Sequence, residues 1–351
     1  MRKEILFAIL AGVTFGLIIA FGVWRANVAL KPESVKTSAP EDSSEAAQAD
    51  FGITIAKPQD YQVITSSQTV LSGVTKPGAW VSVSAEDEDY IINADEDGAF
   101  EVEVDTAGGV NEIVITAFDE DGAQVEERLV FVYSTEFAKQ IGEDEEEEES
   151  ATEEADSVRD KVQQKVEEAR SVPFAYIGTV TDISEQTLQI NKFVFTRTEN
   201  DTSEIQQISI DDEETAFVKI TKVSKVVEFS DVAIGDFIIT MGFKNGNGVL
   251  SAKRVLITTP IEPTKRKAVY GEVDEIGKKE ITLTASDGRE WTAEFGKSWK
   301  GPELDEIDKG NVIIAVGTAS EATLETRTLF VIPAESPSPS PTPTPSPEPE
   351  E

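Results

Sequence analysis

The sequence predicts an all-β multidomain chain, a β-sandwich and two small β-barrels, with one N-terminal transmembrane helix and a short acidic helix and linker between sandwich and barrels. Three observations carry this. Ile5 to Trp24 is an uncharged apolar run; residues 51–134 alternate strand-length apolar segments with turn signals; and the chain beyond Pro173 carries one apolar and glycine pattern twice.

The apolar run, ILFAILAGVTFGLIIAFGVW, has the ~20 residues that cross a bilayer core at ~1.5 Å per residue. A cleavable signal peptide would have a shorter apolar stretch and small residues before its cleavage site. Here Trp24 and Arg25 close the run, and the nearest candidate site, Asn27-Val28-Ala29, has Asn at its outer position. Residues 1–30 are therefore read as a cytoplasmic N-terminus and an uncleaved single-pass anchor in the cytoplasmic membrane. The flanking charges are balanced, Arg2 and Lys3 against Arg25, Lys31 and Lys36. The orientation, N-terminus inside and bulk of the chain extracytoplasmic, rests instead on the character of the modules that follow. Residues 31–50, rich in Ser, Ala, Glu and Pro, read as a flexible tether.

In 51–134 seven strands are expected: Ile53 to Ile55, Val70 to Val74, Trp80 to Ala85, Tyr90 to Ala94, Phe100 to Val104, Asn111 to Phe118 and Gln124 to Tyr133. Three stretches give this segment a specific look. Gly73, Thr75, Pro77, Gly78, Ala79, Val81 and Val83 form GxTxPGAxVxV; Asp95, Asp97, Gly98 and Phe100 form DxDGxF; Asn111 to Gly122 form NxIxITAxDxxG. The segment resembles the bacterial Ig-like modules of surface proteins. That resemblance implies an Ig-like sandwich, here without a disulfide, serving as a spacer or an adhesive domain.

Residues 135–172 leave the strand pattern for an acidic spacer, Glu143 to Glu149, and a helical stripe of Ala155, Val158, Val162, Val166 and Ala169. The distal repeat follows, as 173–260 and 264–333. Gly178, Val180, Ile183, Leu188 and Ile190 recur 93 residues later as Gly271, Val273, Ile276, Ile281 and Leu283. Gly235, Ile238, Ile239, Gly242, Val249, Val255 and Ile257 recur only 75 later, as Gly310, Ile313, Ile314, Gly317, Leu324, Phe330 and Ile332. The first copy thus holds 18 extra residues between about 192 and 230. Short strands punctuated by glycine suit small barrels with tight corners. The GxVxxI openings and the Ile234-Gly235-Asp236 turn resemble a family of small exported bacterial β-barrel domains of unknown function, which implies OB-like barrels and brings no activity. The second copy departs from the pattern at Asn311, where the first has Asp236. Ser336 to Pro349, within the tail 334–351, alternates with Pro as a polyproline stalk.

Composition removes most chemistry. The 351 residues include no Cys and no His, which excludes disulfides, thiolate nucleophiles, Cys/His zinc sites and imidazole catalysis. A net charge of −36, from 67 acids against 31 bases, repels phosphate backbones, so no nucleic-acid partner is expected. No catalytic residues stand out and an enzyme is not expected. Two weak candidate sites remain. Asp95, Asp97, Asp119 and Asp121 lie in Asp-Gly turns that could supply hard oxygen ligands to Ca2+, against the simpler reading that each Asp-Gly is a hairpin turn. Trp291 and Trp299 could contact cell-wall sugar, against the simpler reading that they fill a small core. The basic triplet Lys265-Arg266-Lys267 reads most simply as a bridge between domains. The expected function is a membrane-anchored extracytoplasmic scaffold or adhesion protein of a bacterial cell envelope, meeting the membrane through Ile5 to Trp24 and a protein or cell-wall partner through its modules. A cell-wall or carbohydrate-binding protein and a calcium-dependent adhesin are the alternatives.

Overall fold

The computed structural model of the chain describes residues 51–142, 172–195 and 204–333. The Ile5 to Trp24 anchor, the tether, the helical stripe of 155–169 and the proline-rich tail all lie outside the described residues. Among the described residues, no helix is long and apolar enough to cross a membrane.

The first module is a two-sheet sandwich. One sheet has the order β1-β3-β6, formed by β1 (Thr54–Lys57), β3 (Gln68–Val74) and β6 (Ala99–Asp105). The other, β2-β8-β7-β4-β5, is formed by β2 (Val63–Ile64), β8 (Gln124–Tyr133), β7 (Gly109–Phe118), β4 (Trp80–Ser84) and β5 (Asp89–Asn93). All seven expected strands are present. The addition is β2, a two-residue strand that pairs in parallel with Val132 and Tyr133 after the chain has crossed between sheets at Pro58. Alternate residues of both sheets, Leu71, Val81, Val83, Ile113, Ile115 and Phe131 among them, fill the space between the sheets. The outer face of the larger sheet is covered as well: β7 is buried continuously from Asn111 to Phe118.

After β8 the chain forms helix α1 (Thr135–Ile141). Ser134 caps it by accepting a hydrogen bond from the Phe137 amide at 3.2 Å, and Gly142, in the left-handed region at φ 84°, ends it. This helix precedes the acidic run, whereas the stripe expected to be helical, Ala155 to Ala169, follows it and lies outside the described residues.

The distal half holds two five-strand rings. In the second, β16 (Arg266–Ile276), β17 (Glu280–Ala285), β18 (Glu290–Lys300), β19 (Val312–Ser320) and β20 (Thr323–Val331) close as a barrel in the order β16-β17-β18-β20-β19. This is a closed five-stranded barrel, as the glycine-punctuated strands led one to expect. The first is a seven-stranded sheet, β11-β10-β9-β14-β15-β12-β13, of β9 (Pro173–Ser184), β10 (Thr187–Lys192), β11 (Ile205–Ser209), β12 (Ala216–Ile220), β13 (Ser224–Val227), β14 (Phe237–Lys244) and β15 (Leu250–Thr258). Its β11 also pairs with β15, at Ile208 to Leu250 and Ser209 to Ser251, completing the same ring of five.

The two rings match in detail. Register breaks fall between Met241 and Gly242 in one and between Val316 and Gly317 in the other. A Cβ on Gly242 or Gly317 would lie 2.0 Å from the carbonyl oxygen of Ser251 or Glu325, so only glycine allows the neighbouring strand to pass. The Gly235 amide donates to Val180 O at 2.9 Å and the Gly310 amide to Val273 O at 2.8 Å. Asn311, which departs from the pattern in sequence, does not depart in geometry. Its Oδ1 accepts from the Asp308 amide at 2.9 Å, as Asp236 Oδ2 accepts from the Ala233 amide at 2.9 Å. The turn needs an acceptor oxygen rather than a charge.

The extra length of the first copy divides into two places. Thirteen residues separate the paired Asn191 and Ile205, against five between Thr284 and Glu290. The rest is the β12–β13 hairpin: eleven residues lie between Ala216 and the capping residue Glu228, against one between Gly301 and the equivalent Glu303.

Candidate functional site

Both aspartate turns lie at one end of the sandwich, the first carrying the chain from β5 in one sheet to β6 in the other and the second joining the paired strands β7 and β8. Asp95 Oδ1 accepts from the amides of Asp97 (2.9 Å) and Ala99 (2.8 Å), and Asp119 Oδ1 accepts from those of Asp121 (3.1 Å) and Ala123 (2.9 Å). Gly98 and Gly122 supply the positive φ each turn requires, 81° and 76°. A third turn, Asn245-Gly246-Asn247-Gly248, makes the same bonds with an amide oxygen: Asn245 Oδ1 accepts from Asn247 (2.9 Å) and Val249 (3.1 Å). The geometry is therefore available without any carboxylate.

The other oxygen of Asp119 is taken by a cation the protein supplies itself, since Lys76 Nζ lies 3.1 Å from Asp119 Oδ2. Burial opposes ionisation of this carboxyl, but the Lys76 ammonium and the Ala123 amide outweigh it and hold Asp119 below the usual carboxylate range. Among the described residues no group of three or more carboxylates is placed to hold a metal.

Trp291 is a core residue, 4% exposed among Val273, Leu283 and Phe295. Trp299 is partly buried against the same core, its ring 4.7 Å from that of Phe295. The two tryptophans are not presented side by side to solvent.

The most concentrated polar chemistry lies on the seam between the sandwich and the second barrel, where two arginines of the barrel grip the β4–β5 turn. Arg266, 6% exposed, donates to Ala85 O at 2.9 Å, to the Glu86 carboxylate at 2.6 Å and to Glu112 O. Arg327 donates to the Asp89 carboxylate, to Ala85 O at 2.8 Å and to Glu86 O at 2.7 Å. Asp89 is 1% exposed at its side chain and also accepts from Ser84 Oγ at 2.7 Å. Glu112 is held from both sides, by Arg128 at 2.5 Å and by the Thr264 amide at 2.7 Å. The middle residue of the basic triplet thus bridges two modules.

Apolar contacts close the same seam. Phe118 stacks on Tyr270 with centroids 5.6 Å apart, Trp80 meets Phe330 at 4.9 Å, and Ala268, Ile314 and Val316 complete the cluster. A second seam joins the sandwich to the first barrel, where Val63, Val130, Val132 and Phe137 pack on Ala175, Ile177 and Phe237. There the Ala175 amide donates to Tyr61 O at 2.7 Å. Arg327 and Glu112, which carry no assignment from the sequence, act only through this three-dimensional juxtaposition. No local motif marks them.

The comparisons agree with the sandwich. A family model described as a bacterial Ig domain matches residues 56–132. No curated protein matches the chain. Two solved structures of bacterial adhesins resemble it at low identity. One, described as a Ca2+-stabilized adhesin that helps an Antarctic bacterium reach out and bind ice, is 16% identical and aligns over 79% of this chain and 73% of its own, with a TM-score of 0.18. The other, from a 1.5-MDa bacterial ice-binding adhesin, is 12% identical over 80% of this chain and 96% of its own, also with a TM-score of 0.18. At that score the arrangement of domains is not shared, and nothing about ligand or metal carries over. The Ig domain match ends at Val132, within β8, so α1 and the two rings stand outside it.

Proposed function

We propose that the protein is a membrane-anchored, extracytoplasmic scaffold or adhesion protein of a bacterial cell envelope, its Ig domain and two β-rings forming an interaction head. The bacterial Ig domain match at 56–132 carries this reading. Three further features support it. The apolar run Ile5 to Trp24 has the length and composition of an anchor. The charged side chains concentrated inside the head bind its modules to one another rather than converging on a cleft. An inventory without His or Cys suits binding and spacing better than catalysis.

Protease added to spheroplasts tests the reading. Digestion of the Ig domain and rings, with an N-terminal fragment left in the membrane, is expected. Full protection of the head until the membrane is dissolved would sink the outside placement.

A further inference from the structure

The second ring closes without any counterpart to the β12–β13 hairpin, so the hairpin is an appendage to the barrel rather than part of its closure. Its composition inverts that of the protein. Residues 217–227 contain three lysines, Lys219, Lys222 and Lys225, and no acid, in a chain of net charge −36. They also expose apolar surface, with Val223 at 74% and Val226 at 78%.

The hairpin ends the seven-stranded sheet, and among the described residues no strand pairs with the outer edge of β13. Cross-strand register puts Val226 opposite Val218, and Ser224 opposite Ile220, on one face. That face, continued by Leu256 and Arg254 of the paired β15, forms one wall of a groove of about 530 Å³ whose lining also includes Val132 and Tyr133 of the Ig domain. The Arg254 side chain makes no hydrogen bond or ion pair among the described residues. Burial disfavours its charge, and nearby Glu136, itself paired with Lys139 at 3.6 Å, only partly compensates. A lysine on an edge strand normally discourages pairing; exposed valines beside an open groove favour it.

We infer that the β12–β13 hairpin is a docking edge for an extended, acid-bearing peptide strand of a partner protein, which adds to β13, sets apolar side chains into the groove and gives a carboxylate to Arg254. Main-chain hydrogen bonds to a sheet edge supply affinity, and alternate side-chain pockets supply selectivity. Lys219, Lys222 and Lys225 draw in the acidic strand over the charge of the remaining surface. A second copy is the poorer occupant, because it would bring another lysine-bearing hairpin, rather than carboxylates, to Lys219, Lys222 and Lys225. The inference deepens the reading of the head as an interaction module, and its test uses purified protein, so it is independent of where the head is displayed.

The experiment is fluorescence anisotropy of the full chain in detergent with a labelled peptide of about ten residues that alternates Val or Thr with Glu. Saturable binding is expected, weakened roughly tenfold by Arg254→Gln, by Val226→Pro and by Lys225→Glu, and weakened further by salt. Arg254→Gln and Lys225→Glu alter partly or fully exposed side chains, so a folding failure of Val226→Pro would not obscure the result. No binding, binding unchanged in all three variants, or equal binding of the same peptide with Lys for Glu would overturn the proposal. So would binding to phosphatidylglycerol vesicles in place of the peptide, which would mark a lipid surface, or self-association abolished by Val226→Pro, which would mark a second copy.

Discussion

At the residue scale, the aspartate turns show how a sequence that suggests a cation site can instead be satisfied by its own backbone. Asp95 and Asp119 each direct one oxygen at two amides, and Asn245 does the same without charge. Calcium at ten times a site's dissociation constant would stabilise folding by about 1.4 kcal/mol. The expected result is no calcium-specific rise in melting temperature relative to magnesium, and unchanged behaviour in Asp97→Asn. Protonation should matter more. Because Asp119 titrates below its ordinary range when folded, its pair with Lys76 contributes stability above the unfolded carboxylate pKa, and that contribution is lost as pH falls through the folded value. Lys76→Met should therefore lower stability near neutral pH and have a vanishing effect at acid pH, measured by urea denaturation across the range. Both readings of these turns were legible in the Asp-x-Asp-Gly pattern. What weighs against a cation at Asp119, the Lys76 ammonium, lies more than forty residues away in sequence, beyond any local pattern.

At the element scale, alternation and glycine placement exposed the seven long strands and the repeat, because both are local. The pattern could not reveal β2, since two residues are too short for a period. Nor did it distinguish α1, although Ser134 and Gly142 mark its ends. The recurring bulges give the repeat its energetic content. Gly317→Ala must push a Cβ into Glu325 O and should cost about 3 kcal/mol by overpacking, as should Gly242→Ala in the first ring. Gly246→Ala, with open space around its Cβ, is the control and should be near neutral. The grip on the β4–β5 turn gives a second test. Arg327→Met strands the buried Asp89 carboxylate and should cost about 3 kcal/mol, at the low end for a buried pair because Arg327 is partly exposed. Adding Asp89→Asn should restore at least ~1 kcal/mol, a coupling that a double-mutant cycle on melting data would show.

At the scale of the whole molecule, the contacts between modules were the least legible feature. Each module is marked by its own periodicity, and its turn signals suggest a string of separate units. The seams depend on Phe118, Tyr270, Arg266 and Arg327 meeting across nearly the whole described chain, and each of these residues would serve equally well in an isolated module. β7 is buried without a break from Asn111 to Phe118, yet Glu112 and Thr116 on its outer face alternate with the core-facing Ile113, Ile115 and Ala117 much as on a solvated sheet, so the covered face is only partly marked in the pattern. The seams tie the Ig domain to both rings, so whatever face the head presents is presented as one surface. The absence of cysteine allows a direct measurement of where that surface lies. A single cysteine is placed at exposed Lys222 or exposed Lys309, and another, in a separate variant, at Lys3; intact spheroplasts are then treated with a membrane-impermeant maleimide. The account predicts labelling of Lys222→Cys and Lys309→Cys on intact spheroplasts and of Lys3→Cys only after lysis. Labelling of Lys3→Cys alone on intact spheroplasts, with both head positions protected until lysis, would contradict it.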